Sequence, residues 1–297
     1  RPGSANRSSA GGGVPRALWA VVALVVVAAV VIVIVATTGG SSKGPNVSGS
    51  MPPSVVKAVT TGVSNSTLQS ASAGAGSSVS LPVSLGTQTP LVSNGKPEVL
   101  YIGAEFCPYC AAERWAMVQA LSRFGTFTGL GQMTSSSTDI YPSTPTFTFY
   151  KSSYSSPYLT FVPVETETNT SQPLQSPTSA ENALVNKFDT SPYVQGSSGS
   201  IPFIDFGNKY VQSGASYSPQ LLQNQTFAQI AEQMTLPGTT VGSAIDTAAN
   251  YLTAAICSIT GNQPSSVCNL SFIQEASVKL QSSKPASSSN GTPGAAG

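Results

Sequence analysis

The chain has 297 residues, only 8% of them charged, and a formal net charge of +1. With no basic tract, a nucleic-acid partner is not expected. The absence of histidine excludes histidine metal sites, Ser-His-Asp triads and Cys-His nucleophile pairs. What remains for catalysis is cysteine, carboxylate, tyrosine and lysine.

In chain order, residues 18–35 are eighteen consecutive apolar residues, extended by Ala17 and Ala36. That just reaches the length needed to cross a bilayer. Arg1, Arg7 and Arg16 precede the run, whereas Lys43 and Lys57 follow it sparsely. The positive-inside rule then predicts a cytoplasmic N-terminus over 1–16 and one transmembrane helix over 17–36. The rest of the chain lies outside the cell membrane. A cleaved signal peptide is the alternative, with Ile34-Val35-Ala36 as a passable cleavage site. Either way the bulk of the protein is extracytoplasmic, where disulfides persist.

Residues 37–80 are rich in Ser, Gly, Thr and Pro without a sustained period, and read as a flexible stalk with a short helix near 54–60. Residues 281–297 read as a disordered tail. Between them, 81–280 form the folded domain. The run at 98–102, EVLYI, has the character of a buried strand. Ala111, Trp115, Val118, Leu121 and Phe124 then recur at spacings of three and four, giving a helix from about Pro108 that stops at Gly125. Two β-rich runs, PTFTFY and PYLTFVPV, follow, joined by a polar turn. Thr178-Ser-Ala-Glu181 is a capping-box pattern opening a helix to about Phe188. IPFIDFGNKYV, 201–211, reads as strand, Gly-Asn turn and strand. Helices are expected over 219–234 and 241–259.

The cysteines carry the chemistry. Cys107 and Cys110 form a CxxC between strand and helix, which puts Cys107 at a helix N-terminus where a thiolate is favoured. Cys110, one turn later, can attack a mixed disulfide formed at Cys107, and the exchange needs no third residue and no cofactor. A structural clip and a four-cysteine zinc site are the alternatives, the latter requiring an unusual second pair eleven residues apart at Cys257 and Cys268. Four cysteines allow three pairings, of which 107–110 and 257–268 each close a local loop. Cys257–Cys268 then reads as a structural bridge, a second redox pair being the alternative. Trp115 and Phe106 read as packing residues.

AEFCPYC, with Glu105, Phe106, Pro108 and Tyr109 around the two cysteines, resembles the active-site turn of the thioredoxin-like superfamily. Pro-Tyr between the cysteines is the dipeptide typical of glutaredoxins. Ile201-Pro202, opening a strand–turn–strand, resembles the cis-proline loop of the same superfamily. The region from about 80 to 280, through TPTFTFYKSSYSSPYLTFVPVE and the Cys257/Cys268 segment, further resembles a prokaryotic family catalogued as domain of unknown function 929. The resemblance implies an α/β thioredoxin-like fold, with a central mixed sheet flanked by helices, an insertion over about 140–195 and extra C-terminal helices. It further implies a cis Pro202 facing the CxxC, and a backbone at Ile201 that pairs with substrate as an added strand. At the strand position where thioredoxins bury an acid, this chain has Tyr101, with Glu105 and Glu113 as possible substitutes. The expected function is thiol–disulfide exchange on cysteine-containing envelope or secreted proteins, with a membrane redox partner recycling the pair and no metal. The alternative is a non-catalytic binding or surface module with a structural CxxC disulfide.

Overall fold

The structure, a computed structural model, describes residues 49–74, 79–194 and 198–283. It is a mixed α/β fold built on a six-stranded mixed sheet flanked by helices. The expected transmembrane segment, 17–36, lies outside the described residues, and among those described no helix is long and apolar enough to cross a membrane.

The segment read as a stalk is folded from Gly49 onward. It comprises β1 (Gly49–Ser50), α1 (Pro53–Lys57), a π-helical turn (Ala58–Gly62) and α2 (Asn65–Gly74). Met51, Val55, Val59, Leu68 and Ala71 are buried there. Five apolar anchors spread among many serines and threonines do not raise the local hydropathy, yet Met51, Val55 and Val59 recur every four residues, and Leu68 and Ala71 are three apart, on the buried sides of their elements. The tail is likewise ordered as far as Ser283, whose carbonyl accepts the Ser84 N–H at 3.0 Å. The remainder of the tail lies outside the described residues.

The central sheet contains β2 (Val83–Ser84), β3 (Val92–Ser93) and β4 (Lys96–Gly103). After β4 comes α3 (Pro108–Leu121). Next are the shorter strands β5 (Thr126–Thr128), β6 (Gly131–Thr134), β7 (Pro145–Thr148) and β8 (Ser153–Ser155), then β9 (Thr160–Glu165) and α4 (Ser179–Phe188). A hairpin of β10 (Phe203–Phe206) and β11 (Tyr210–Ser213) follows. The C-terminal part holds a 3-10 turn (Pro219–Leu222), α5 (Phe227–Thr235), α6 (Thr240–Ile259), α7 (Ser265–Cys268) and α8 (Ser271–Ser282). The strand order is β2-β11-β10-β4-β3, with β9 parallel to β4 and the other pairings antiparallel.

Strand β4 is central and covered on both faces, which is why it reads as a continuous apolar run. Val99 and Tyr101 join the large core with Trp115, Ile204, Phe206 and the residues of α6. Leu100 and Ile102 face the other way and pack with Val164, Phe188, Phe203 and Val211 under α4. Helix α3 is buried on nearly every side, so its apolar residues show no single stripe.

The pairing gives the two β-rich runs separate partners. PTFTFY and PYLTFVPV do not pair with each other: β7 pairs with β6, and β9 pairs in parallel with β4. Within 140–195, the range expected as an insertion, β9 and α4 lie against the central sheet, while the shorter strands β5 to β8 occupy 126–155. Apolar alternation identifies a strand but not its partner, which is chosen by long-range packing. The expected helix over 219–234 is broken at Asn224, where φ is 60°, and α5 restarts with a Thr226–Gln229 capping box. The Gly207-Asn208 turn, the Thr178–Glu181 capping box and the long helix α6 stand where the sequence puts them.

Candidate thiol site at the N-terminus of helix α3

The C-terminal end of β4 delivers the chain into a tightly tied turn. Cys107 N–H donates to the Ala104 carbonyl at 3.3 Å, and Glu105 N–H to the Glu167 carbonyl at 2.8 Å. Ser136 N–H donates to the Phe106 carbonyl at 2.9 Å, so the loop between β6 and β7 is fastened beside the turn. Cys107 is the N-cap residue, in extended conformation, and Pro108 opens the helix. Its Sγ accepts the Cys110 N–H at 3.3 Å, one of the donors a helix N-terminus leaves without an intrahelical partner.

Both cysteines are free thiols. Cys107 keeps 5% of its surface exposed, whereas Cys110 has none. The Ile201–Pro202 peptide bond is cis, and the Ile201 carbonyl faces the Cys107 thiol at 3.7 Å. Strand β10 starts immediately afterwards, with Phe203 opposite Ile102, so the sheet register itself brings residue 201 to residue 107. Tyr109 is exposed at the rim, its ring edge-on to Tyr141 with centroids 5.9 Å apart. Trp115 packs edge-on to Phe147 and donates its Nε1–H to the Pro145 carbonyl at 2.9 Å.

The two thiols are electrostatically unequal. The Cys110 thiol hydrogen-bonded to Cys107 draws the Cys107 pKa below its ordinary 9.0, against the cost of burial, and the Cys110 N–H and the Arg114 charge act the same way. Burial pushes Cys110 well above 9.0, and the neighbouring Cys107 adds to this. The accessible sulfur is thus the more acidic one, and the hidden sulfur holds its proton.

The two candidate acids are engaged elsewhere. The Glu105 carboxylate accepts from Thr148 Oγ1 at 2.6 Å beside a polar cleft of about 690 Å³. Glu113 accepts the Ser216 N–H at 2.7 Å and its hydroxyl at 2.9 Å, and burial raises its pKa to about 7. Beneath the turn lies instead a fully buried ion pair, Arg114–Glu165, closed by Nε–Oε1 at 2.9 Å and Nη2–Oε2 at 2.6 Å. Against the cost of burial, the Glu165 charge holds the Arg114 pKa above its ordinary range. Tyr101 lies against this pair, its ring centroid 5.8 Å from Arg114 Cζ and its hydroxyl without a hydrogen-bond partner among the described residues. Sequence reasoning passed over Arg114 and Glu165. The available signal was Arg114 itself, a charge inside the apolar helix CAAERWAMV four residues after Cys110.

Cys257 and Cys268 form a disulfide, joining the end of α6 to α7. Two contacts fix its place in the fold: Lys209 Nζ donates to the Ser258 carbonyl, and Ile259 packs against Gly207. The bridge therefore sits toward the opposite end of β10 from the Ile201–Pro202 turn.

The family model described as "Domain of unknown function (DUF929)" matches residues 86–258. Comparison with curated proteins and with solved structures returns no match.

Proposed function

We propose that the chain, which belongs to this DUF929 family, is a thiol–disulfide oxidoreductase with a thioredoxin-like fold, using Cys107 as nucleophile and Cys110 as resolving thiol. The observation that carries the reading is the position of Cys107 Sγ. It caps a helix, accepts the Cys110 N–H at 3.3 Å and lies 3.7 Å from the Ile201 carbonyl beside a cis-proline that opens an antiparallel hairpin. A helix N-terminus stabilises the thiolate that thiol–disulfide exchange requires. The buried second thiol stands within reach of any mixed disulfide formed at the first.

In the proposed mechanism the backbone at Ile201 aligns an extended segment of a cysteine-containing protein across Cys107, with Pro202 holding the turn. Glu105, Phe106, Pro108 and Tyr109 surround the sulfurs. The Cys257–Cys268 bridge is structural. The apolar run over 18–35 and its preceding arginines support a membrane anchor with the domain outside the cell, where a membrane redox partner would recycle the pair. The contrasting environments of the two thiols favour exchange over a non-catalytic module carrying a CxxC clip.

A trapping experiment tests this. The full chain in detergent micelles, as the Cys110→Ser variant, is mixed with a disulfide-bonded cysteine peptide and analysed by mass spectrometry. A stable peptide adduct at Cys107, absent from Cys107→Ser, is expected. If Cys110→Ser gives no adduct, or the wild-type Cys107–Cys110 disulfide resists reduction by dithiothreitol, the oxidoreductase reading is wrong and a structural clip takes its place.

A further inference from the structure

We infer that Arg114 is the positioning residue that sets the direction of this site: its buried charge stabilises the reduced, thiolate-bearing state of Cys107 and Cys110, making their disulfide an oxidant of substrate dithiols. The inference rests on the oxidoreductase reading above and adds a direction to it.

Arg114 follows Cys110 by four residues and so shares its helix face, and helical side chains run back toward the N-terminus. Its Nη2 donates to the Ala104 carbonyl at 2.9 Å, the same carbonyl that receives the Cys107 N–H at 3.3 Å. The guanidinium is thereby fastened to the active-site turn. Nε and Nη2 take both Glu165 oxygens, while Nη1 has no hydrogen-bond partner among the described residues. Glu165 Oε1 also accepts from the Phe149 N–H at 3.4 Å. The cationic end of the pair is therefore tied to the turn that carries Cys107. The Arg114 charge draws both thiol pKa values down.

This is a costly arrangement. Removing two charges from water costs several kcal/mol per ion before their attraction is counted, and apolar replacements are often no less stable. In a chain that is only 8% charged, an ion pair with both side chains at 0% exposure calls for an explanation beyond packing. Burial keeps Cys110 protonated, and the Arg114 charge opposes that effect. Tyr101 stands at the strand position with a buried phenol, and Glu105 and Glu113 are bonded to Thr148 and Ser216.

Starting from the Cys107–Cys110 disulfide, a substrate thiolate attacks Cys107 Sγ. The Cys107–Cys110 bond breaks, and Cys110 leaves as a thiolate in the field of Arg114, then takes a proton from solvent. A second substrate thiolate attacks the substrate sulfur of the mixed disulfide and expels Cys107 as a thiolate. The substrate loses two electrons and forms its disulfide, and the site gains those electrons as two sulfhydryl-level sulfurs. Stabilising either leaving thiolate favours this direction.

The test equilibrates the full chain in micelles with glutathione and glutathione disulfide, traps the thiols and reads the Cys107–Cys110 pair by mass spectrometry. Arg114→Met is expected to weaken the pair as an oxidant at least tenfold, about 30 mV by the two-electron relation. It should also move the Cys107 thiolate titration, followed by ultraviolet absorbance, to higher pH. Arg114→Lys should retain most of the wild-type behaviour. Glu165→Gln leaves the arginine charge uncompensated, so it should move both readings the opposite way. An unchanged potential in Arg114→Met, or a shift of the same sign in Arg114→Met and Glu165→Gln, overturns the inference. If Arg114→Met does not fold, Glu165→Gln decides alone, and a potential that is unchanged or lowered in it counts against. A wild-type chain that never exchanges with glutathione sinks the oxidoreductase reading and the inference with it, whereas normal exchange with unmoved potentials sinks only the inference.

Discussion

At the residue scale the site is a contrast between two sulfurs one helical turn apart. Cys107 caps α3 with a trace of exposure, and Cys110 is fully buried behind it. Because the thiolate is the nucleophile, alkylation by iodoacetamide should report each titration separately. Cys107 should react with a pH midpoint below 9.0, while Cys110 stays unreactive over the same range. Cys110→Ala should raise the Cys107 midpoint, since the Cys110 thiol is the largest influence lowering it. Equal titration of the two thiols would contradict the asymmetry. The sulfurs were legible in the sequence because CxxC is a local pattern, and the cis bond at Pro202 was implied by the resemblance to the thioredoxin-like superfamily. Arg114 and Glu165, 51 residues apart, were not legible, since their meeting depends on β9 pairing with β4.

At the element scale, α3 is held in place by what covers it. Helix α6 packs along α3, and α5 in turn packs against α6. Helices α5 and α6 approach closely at Gly242, in the first turn of α6, where a Cβ would drive into the Gln233 carbonyl oxygen and the Thr239 hydroxyl. Gly242→Ala should therefore destabilise the fold by on the order of 1–3 kcal/mol, read as a lower urea midpoint with an unchanged slope. A midpoint equal to wild type would show that α5 yields at no cost. The helix α6 was readable from its period alone, with Ile245, Ala249, Leu252 and Ile256 on a buried face. A short helix was legible where α1 and the π-helical turn lie, but α2 and the burial of the segment were hidden by composition. The segment's few apolar anchors gain meaning only against the cavity that α3, α5 and α6 leave for them.

At the scale of the whole molecule, three buried carboxyls tie stability to pH. Burial raises Glu113, Asp205 and Asp246 from ordinary values of 4.5, 3.8 and 3.8 to about 7 each. A carboxyl raised on folding binds its proton more tightly in the native state, so its contribution is complete below the unfolded pKa and is lost as pH rises through the folded one. The urea midpoint should fall between pH 5 and pH 8, by several kcal/mol in stability, and Glu113→Gln should flatten part of that slope. A midpoint that rises over the same interval would reverse the assignment. The sequence by itself determined the CxxC, the Thr178–Glu181 capping box, the Gly-Asn turn, the strand β4 and the long helix α6, because each follows from neighbours a few residues apart. Only the tertiary structure decided that β9 lies beside β4, that Gly49–Gly74 packs into the core, and that a buried arginine stands under the thiols. Those outcomes depend on which apolar surfaces and charges meet across tens of residues, and burial free energy at such distances leaves no periodic trace in the chain.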